Sequence, residues 1–476
     1  MDPSNLRIRG VLLAAGKGTR MKSRLPKVLH PLLGRPMAAY PLRALHQATG
    51  EKPVVVVGHQ AEAVKAGLGP DAADYVLQDP PLGTGHAVAQ ARALLEGRVD
   101  VLLVAAGDMP LLRTETFRRI LEEHLSHPGT AITLLTVETD NARGFGRILR
   151  DERGKVVGIV EEAHATPEQK AIREVNVGVY AFDAQWLWHA LERVPLSPKG
   201  EYYLTDTVAL AVADDLPVRA VTLEDPQEAI GVNTRVHLAE ATAALLDRIR
   251  RNWMLAGVTM IDPHRVYIED TVQLAPDVTL WPDTYLMGNT VVEGESEIGP
   301  QSYLKNAHIG PRCRVWASVV EDSTLEAEVH IGPYARVRGG AHLGRGVFLG
   351  NYAEVKKSRL GPGVKMHHFS YLGDATVGSN VNIGAGTITC NYDGVRKNPT
   401  FIEDDAFIGS DTMLVAPVRI GRGARTGAGA VVTKDVPPYT LAVGVPARVI
   451  RRLSPPEDAS SRNPSTPPKT SPKGKE

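Results

Sequence analysis

Cysteine is almost missing: Cys313 and Cys390 are the only two in 476 residues. Two thiols cannot build a disulfide framework, and such scarcity fits a reducing compartment. Net charge is missing as well, because 54 Lys+Arg balance 54 Asp+Glu. That argues against nucleic acid or an anionic membrane as a dedicated partner, so any polyanion must meet a local basic cluster. Met1 to Arg9 carries no leader-peptide pattern, and no apolar run reaches the ~20 residues that cross a bilayer. The expectation is a soluble, cytoplasmic protein. What is present is a 43% hydrophobic composition, enough for a sizeable core, over a length that calls for two or three domains.

The first half alternates short aliphatic runs with helical stretches. Val11 to Ala15, Val54 to Val57 and Val101 to Ala105 suit strands buried on both faces of a parallel sheet. Pro41 to Gln47 and Ala87 to Leu95 read as covering helices. The pattern predicts a doubly wound, Rossmann-like α/β domain over 1–233, with ligands at the carboxyl ends of its strands. From Thr234 to Leu255, Val236, Ala239, Ala243, Leu246, Ile249 and Trp253 recur at helical spacing, predicting an amphipathic connector helix over 234–256. An aliphatic residue then recurs about every six positions, often before Gly, as in Ile298-Gly299, Ile331-Gly332, Leu349-Gly350, Ile383-Gly384 and Ile408-Gly409. Six matches neither helix nor simple strand. It fits a left-handed parallel β-helix over 257–453, with Gly or Asn supplying left-handed backbone at the corners. Cys390 to Thr400 breaks the period and reads as a loop thrown out of the coil. The Ser-, Pro- and Lys-rich stretch 454–476 reads as a disordered tail.

Two sets of residues carry chemistry. Leu13-Ala14-Ala15-Gly16-Lys17-Gly18-Thr19-Arg20 follows the first strand, with Pro26-Lys27 downstream. Glycines there let backbone N–H groups approach phosphates, and Arg20 and Lys27 add positive charge where pyrophosphate would leave. Neither the Walker pattern nor the dinucleotide fingerprint is present. In the repeat region, Lys365 to Asp374 holds the adjacent pair His367 and His368, while Arg336, Arg338, Lys356 and Lys357 make a basic group. Taken singly these residues have plain readings: Asp108 as a turn cap, Glu161 and Lys27 as surface charges, a histidine as a solvated corner.

The strings resemble those of the sugar-1-phosphate nucleotidyltransferases. The match continues through Gln78, Leu82 to Ala87, Gly107-Asp108, Gly144 to Arg147, Ile159 to Glu162, Asn176 to Gly178, Glu201 to Asp206 and Gly231 to Asn233. With the β-helix behind them, the chain resembles the bifunctional N-acetylglucosamine-1-phosphate uridylyltransferase/glucosamine-1-phosphate acetyltransferase family. The resemblance implies that Leu13, Ala14, Ala15, Gly16, Arg20, Lys27, Gln78, Gly83 and Thr84 bind the nucleotide. Gln78 reads the base with an amide that both donates and accepts. It implies that Gly146, Glu161, Asn176 and Asn233 hold the amino sugar, and that Asp108 and Asn233 are ligands of Mg²⁺, an oxygen-only set that suits it.

In the β-helix it implies His368 as general base, with Glu354 orienting it. Arg338, Lys356, Tyr371 and Asn382 bind glucosamine-1-phosphate, and Ala385, Asn391, Tyr392, Ser410, Ala428 and Arg448 line the acetyl-CoA groove. Strand alternation would point His367 away from the site. Cys390 reads as a bystander. The implied partners are UTP, N-acetylglucosamine-1-phosphate, glucosamine-1-phosphate and acetyl-CoA, in a homotrimer with acyl sites at subunit junctions. Three positions depart from the family pattern: Ala106 where Tyr is common, Gly339 where Pro is usual, and Val445 in place of an arginine, with Arg448 the nearest substitute. A nucleotidyltransferase with another base or sugar and a purely structural β-helix is one rival reading. A non-catalytic trimeric scaffold is another.

Overall fold

The computed structural model describes residues 6–140, 142 and 144–454, so the expected tail lies almost wholly outside the described residues. The chain divides into two compact units at Ile249/Arg250. Among the described residues no helix is long and apolar enough to cross a membrane.

In the first unit, β1 (Ile8–Ala14), β2 (Val54–Val57), β3 (Asp74–Leu77), β4 (Val101–Ala106), β5 (Ile132–Glu138), β6 (Arg147–Arg150), β7 (Val156–Val160), β8 (Glu174–Asp183) and β9 (Val218–Thr222) form one sheet. Its order is β9-β5-β8-β4-β1-β2-β3, with β6 pairing β8 and β7. Strand β1 lies parallel between β2 and β4, with Leu13 opposite both Val56 and Ala106. All four valines of β2 are fully buried, as an aliphatic run covered on both faces requires. The sheet departs from the parallel expectation at β8, which runs antiparallel to both β4 and β5.

Pro41 to Gln47 lies within the helix α1 (Ala39–Thr49), ended by Gly50 in the left-handed region. Ala87 to Leu95 is not one helix but parts of two, α2 (Thr84–Ala89) and α3 (Arg92–Leu95). The reason is local. In a continued helix the Gln90 N–H would donate to the His86 carbonyl, but the Gln90 side chain donates there instead, at 3.0 Å. The Gln90 N–H turns to Ala87, which tightens the turn and stops propagation. Residues Arg235–Leu255 form the helix α4, capped by the Thr234 hydroxyl accepting from the His237 N–H. Its buried stripe differs from the predicted one. Val236, Ala239 and Ala243 are exposed, while Ala241, Ala244, Leu245, Leu246 and Ile249 are buried. Alanine contributes little burial energy, so the larger leucines and Ile249 set the face.

The second unit is the β-helix. Its strands stack into three sheets of twelve, ten and nine strands. Leu280, Ile298, Val315, Ile331, Leu349 and Met366 follow one another in register at steps of 16 to 18 residues. All six are buried, forming one continuous aliphatic column. A coil is therefore three hexapeptides. One step, from Asn382 to Phe407, takes 25 residues, because the loop after the strand Ile388–Cys390 leaves the coil and returns at Thr400–Ile402.

The corners bear out the expectation about Gly and Asn in part: Gly299, Gly332, Asn306 and Asn380 have positive φ, as do residues of other types. Left-handed backbone is adopted there by Asp283, Glu295, Gln301, Tyr334, Tyr352 and Asp405, among others. Many glycines that follow the aliphatic residue serve instead to let successive coils touch. A Cβ on Gly350 would stand 1.8 Å from the His367 carbonyl oxygen. Gly350→Ala is therefore expected to lower stability by about 1–3 kcal/mol through forced displacement of the next coil. Equilibrium unfolding against the parent checks this. The last coil is closed by an antiparallel strand, Arg448–Arg452, paired with Thr440–Val443.

Candidate functional sites

The first site opens at the carboxyl ends of β1 and β4, where the doubly wound pattern places ligands. A cavity of about 640 Å³ is lined by Leu13, Ala14, Ala15, Gly16, Lys27, Gln78, Gly83, Thr84, Ala106 and Asp108. All the residues expected to bind nucleotide are there except Arg20. Gly18, in the left-handed region, lies against Lys27: a Cβ on it would stand 2.4 Å from that of Lys27. On the far wall Gly83, at φ 98°, accommodates the backbone of Tyr202. Gly85 N–H donates to the Tyr202 carbonyl at 2.8 Å, and the Leu204 N–H donates to the Thr84 hydroxyl at 3.0 Å. Glu201 and Tyr203 thereby line the cavity. The sequence string contained both, but nothing in their type singled them out for a role.

Gln78 is buried, and its amide nitrogen donates to the Gly83 carbonyl at 2.9 Å. A second contact, from the same nitrogen to His86 Nδ1 at 3.2 Å, gives both amide hydrogens a partner within the chain.

Asp108, Asn233, Lys27 and Arg20 converge. The Lys27 ammonium donates to Asp108 Oδ2 at 2.5 Å and to Asn233 Oδ1 at 2.8 Å, and the Arg20 guanidinium donates to the same Asn233 oxygen at 2.8 Å. Arg20 is therefore joined to the site through Asn233. The Val232 N–H donates to the Asp108 carbonyl at 2.9 Å, which sets the two oxygen donors side by side. Among the described residues no group of three or more His, Cys, Asp or Glu is arranged to hold a metal ion. The Asp108 and Asn233 oxygens nevertheless meet at one cationic point.

Gly146, Glu161 and Asn176 form a neighbouring group. The Asn176 N–H donates to the Gly146 carbonyl at 2.8 Å, and a Cβ on Gly146 would lie 3.6 Å from Glu161 Oε1. The Asn176 amide is held by Tyr180 and by the Gly178 N–H. Glu161 accepts from the Thr205 hydroxyl at 3.2 Å, so the segment 201–205 connects this group to the nucleotide cavity.

In the β-helix, the ten-stranded face aligns Arg338 with Lys356, and Glu354 with Tyr371, on adjacent coils. Arg338 donates twice to Glu354 Oε1, at 2.9 and 2.6 Å. Within this chain Glu354 is thus bound to the guanidinium and makes no hydrogen bond to a histidine among the described residues. Lys356 is held below the usual lysine range, first by the Lys397 ammonium beside it and then by Arg338. Lys397 comes from the extruded loop, and no sequence signal marked it. Asn391 at the root of that loop donates to Asp374 Oδ2 at 2.6 Å. A Cβ on Gly373 would meet both the Tyr371 hydroxyl and the Asn391 amide, so those two side chains converge. Tyr392 is exposed and donates to the Gly394 carbonyl at 2.6 Å.

The remaining residues lie elsewhere on the coil. Asn382 belongs to the twelve-stranded face, in register with Lys365 and Phe407, and is not brought to Tyr371 within this chain. His367 and His368 follow the strand Lys365–Met366 at a corner, both exposed, with ring centroids 6.4 Å apart. Strand alternation does not extend to them, so the expected opposite orientation does not apply. What separates them is packing: the His367 ring lies 4.5 Å from that of Phe348, while neither imidazole makes a side-chain hydrogen bond among the described residues. Ala385, Ser410 and Ala428 stack along this corner, as Asp411 N–H donates to Ala385 and Gly429 N–H to Ser410. Arg448 stands exposed on the closing strand. Burial raises both thiols, Cys313 to about 11, which leaves Cys390 protonated and a poor nucleophile at neutral pH.

Fold and site together define a transferase in two parts, a nucleotidyltransferase half and a hexapeptide-repeat half. Residues 10–172 match the MobA-like NTP transferase domain, and residues 399–434 match the bacterial transferase hexapeptide of six repeats. The chain is 49% identical to the bifunctional protein GlmU of Heliobacterium modesticaldum, over 91% of its own length and 94% of that protein. It is 45% identical to the bifunctional protein GlmU of Pelobacter propionicus, over 93% and 97%, and 44% identical to that of Geobacter metallireducens, over 92% and 96%. The chain belongs to the GlmU family of bifunctional proteins and is an enzyme of nucleotidyl and acetyl transfer.

Proposed function

We propose that the chain makes UDP-N-acetylglucosamine in two steps: acetylation of glucosamine-1-phosphate by acetyl-CoA, then uridylyl transfer from UTP to N-acetylglucosamine-1-phosphate. The carrying observation is that one chain holds two separate cationic clusters, Arg20/Lys27 beside Asp108 and Asn233, and Arg338/Lys356/Lys397 on the β-helix. Each suits a phosphorylated substrate. The paired test is pyrophosphate release from UTP with N-acetylglucosamine-1-phosphate, and thiol release from acetyl-CoA with glucosamine-1-phosphate. Loss of either reaction in the purified chain refutes the assignment of that half.

In acetyl transfer the sugar amine attacks the thioester carbonyl. The C–N bond forms, the C–S bond breaks, the amine proton passes to His368, and that proton goes on to the departing thiolate. Arg338, Lys356 and Lys397 hold the phosphate; Tyr371 and Asn391 border the sugar and the thioester. The corner lined by Ala385, Ser410 and Ala428 receives the pantetheine arm, and Arg448 meets the coenzyme phosphates in place of the absent arginine at Val445. Asn382 lies on another face, so a neighbouring copy completes the site, and we assign a homotrimer. A trimer mass by light scattering is expected; a monomer with full acetylation activity overturns it.

In uridylyl transfer a phosphate oxygen of the sugar attacks the α-phosphorus of UTP as pyrophosphate leaves. Gly16 and its neighbours cradle the phosphates, Arg20 and Lys27 balance the developing charge, and Gln78 contacts the base. Gly146, Glu161 and Asn176 hold the amino sugar. Asp108 and Asn233 would hold Mg²⁺: a carboxylate and an amide oxygen that already meet one ammonium fit a hard cation. Bound there, the ion supplies charge neutralisation at the attacked phosphate. The cytoplasm, where both nucleotide and thioester are made, is the compartment assigned.

Lys397 offers a separate check. The three cations repel one another without an anion, so inorganic phosphate should raise the thermal midpoint of the parent chain and do so less for Lys397→Ala. In the same variant the KM for glucosamine-1-phosphate is expected to rise about 10-fold or more, the size of one charge-assisted hydrogen bond. Uridylyl transfer should be unchanged.

A further inference from the structure

His30 is fully buried, and its Nε2 has no hydrogen-bond partner among the described residues. Its Nδ1 lies 3.1 Å from the Arg235 guanidinium. A guanidinium only donates, so Nδ1 accepts and the proton resides on the orphaned Nε2. Burial and the Arg235 charge hold this imidazole below the usual histidine range, which keeps it a neutral acceptor. An unsatisfied buried N–H costs about 1–3 kcal/mol. Stability alone would favour an apolar residue here, so the orphan calls for another explanation.

The position of the pair supplies one. Lys27 and His30 stand at the two ends of a single tight turn, with the His30 N–H bonded to the Lys27 carbonyl. Asn233 and Arg235 are two residues apart, at the entrance of α4. Two cross-links therefore join the same two segments. One lies inside the site, from Lys27 to Asn233 at 2.8 Å, and one lies behind it, from Arg235 to His30 at 3.1 Å. Lys27 cannot serve both Asn233 and an arriving triphosphate at full strength. Once its ammonium turns to the phosphates, the inner cross-link weakens and the outer one keeps its geometry.

We propose that His30 and Arg235 are positioning residues for uridylyl transfer: a latch that holds Asn233 over the nucleotide cavity after Lys27 has engaged the phosphates. This rests on the uridylyltransferase reading above. Neither residue touches substrate. Their effect passes through the Asn233 oxygen, so it should fall on divalent-cation binding more than on binding of UTP.

The test compares the full-length parent with His30→Leu, His30→Asn and Arg235→Met. Asparagine keeps a neutral oxygen acceptor for Arg235, whereas leucine removes it. Binding of Mn²⁺ in the presence of UTP, read by the loss of the free-ion electron paramagnetic resonance signal, should weaken about 10-fold in His30→Leu and in Arg235→Met. In His30→Asn it should stay within about 2-fold of the parent. The concentration of Mg²⁺ giving half-maximal uridylyl transfer should shift in parallel, with the KM for UTP changed much less. A KM for UTP and a thermal midpoint of the first unit close to the parent's serve as the control for folding, since acetyl transfer belongs to the other compact unit. Unchanged Mn²⁺ binding in Arg235→Met overturns the latch, as does equal weakening in the Leu and Asn variants of His30. Should His30→Leu fail to fold, Arg235→Met, altered at an exposed helix start, decides alone. Absence of UTP-dependent activity in the parent itself would instead refute the uridylyltransferase reading.

Discussion

Asp108→Ala abolishes uridylyl transfer, by roughly three orders of magnitude or more, and leaves acetyl transfer near the parental rate. The expectation follows from how little else is available to a cation at this point. Asp108 contributes the one carboxylate that meets Asn233, and among the described residues no acidic or imidazole cluster stands by to replace it. Losing the charge-neutralising ligand of a phosphoryl-transfer site costs several kcal/mol of transition-state stabilisation. Removing Asp108 also strands the partly buried Lys27 ammonium on a single amide oxygen. Asp108→Asn, which keeps the shape and a hydrogen-bond acceptor, separates that structural loss from the chemical one. Both variants should be inactive in pyrophosphate release, and only the Ala variant should show a lowered thermal midpoint. The β-helix belongs to the other compact unit, so its reaction is spared. Equal loss of both activities in a folded variant would contradict two independent sites.

The second large effect is expected at His368. His368→Ala should lower acetyl-transfer turnover by about two to four orders of magnitude, the usual contribution of a positioned base. Binding of glucosamine-1-phosphate should persist, because the Arg338, Lys356 and Lys397 charges remain. His367→Ala should cost only the contact with Phe348. Both imidazoles are exposed and adjacent, so exposure does not choose between them. The choice rests on the family resemblance and on His367 being engaged in a stack that runs through Phe348 to His330; neither imidazole makes a side-chain hydrogen bond among the described residues. An imidazole must be neutral to accept the amine proton. A dead His367→Ala beside an active His368→Ala would move the base by one residue.

Much of this architecture could be read in advance because repetition averages out local ambiguity. A single Leu-Gly pair says little, but an aliphatic residue returning every six positions fixes which side chains point inward and where coils end. The phosphate loop was readable for a different reason: backbone approach demands glycines at fixed places, and Lys27 must follow at a fixed distance. What escaped depends on contacts that no local pattern encodes. Lys397 reaches Lys356 only because a seven-residue excess over the 18-residue coil folds back on itself, held by Asp393 accepting from the Arg396 and Val395 N–H groups. Within this chain Glu354 meets Arg338 because register, not sequence separation, sets its neighbours. The glycines were only partly legible because the same residue answers two different demands, positive φ as at Gly299 and Gly332 and the absence of a Cβ as at Gly350, and sequence does not say which one applies.

The antiparallel strand Arg448–Arg452 has a meaning for solubility. A stack of parallel coils ends in a row of unpaired backbone donors and acceptors, and such an edge recruits the next strand that can reach it. Here the chain doubles back and occupies that edge on the twelve-stranded face, presenting Arg448, Arg451 and Arg452 along an exposed strand. Charge of one sign repels a second copy arriving in the same orientation. Ending the chain after Val443 should therefore convert a molecule of defined size into one that associates end to end, with light scattering that grows with time and concentration. Stacking would then continue from one molecule into the next, since the rungs themselves hold no other instruction to stop.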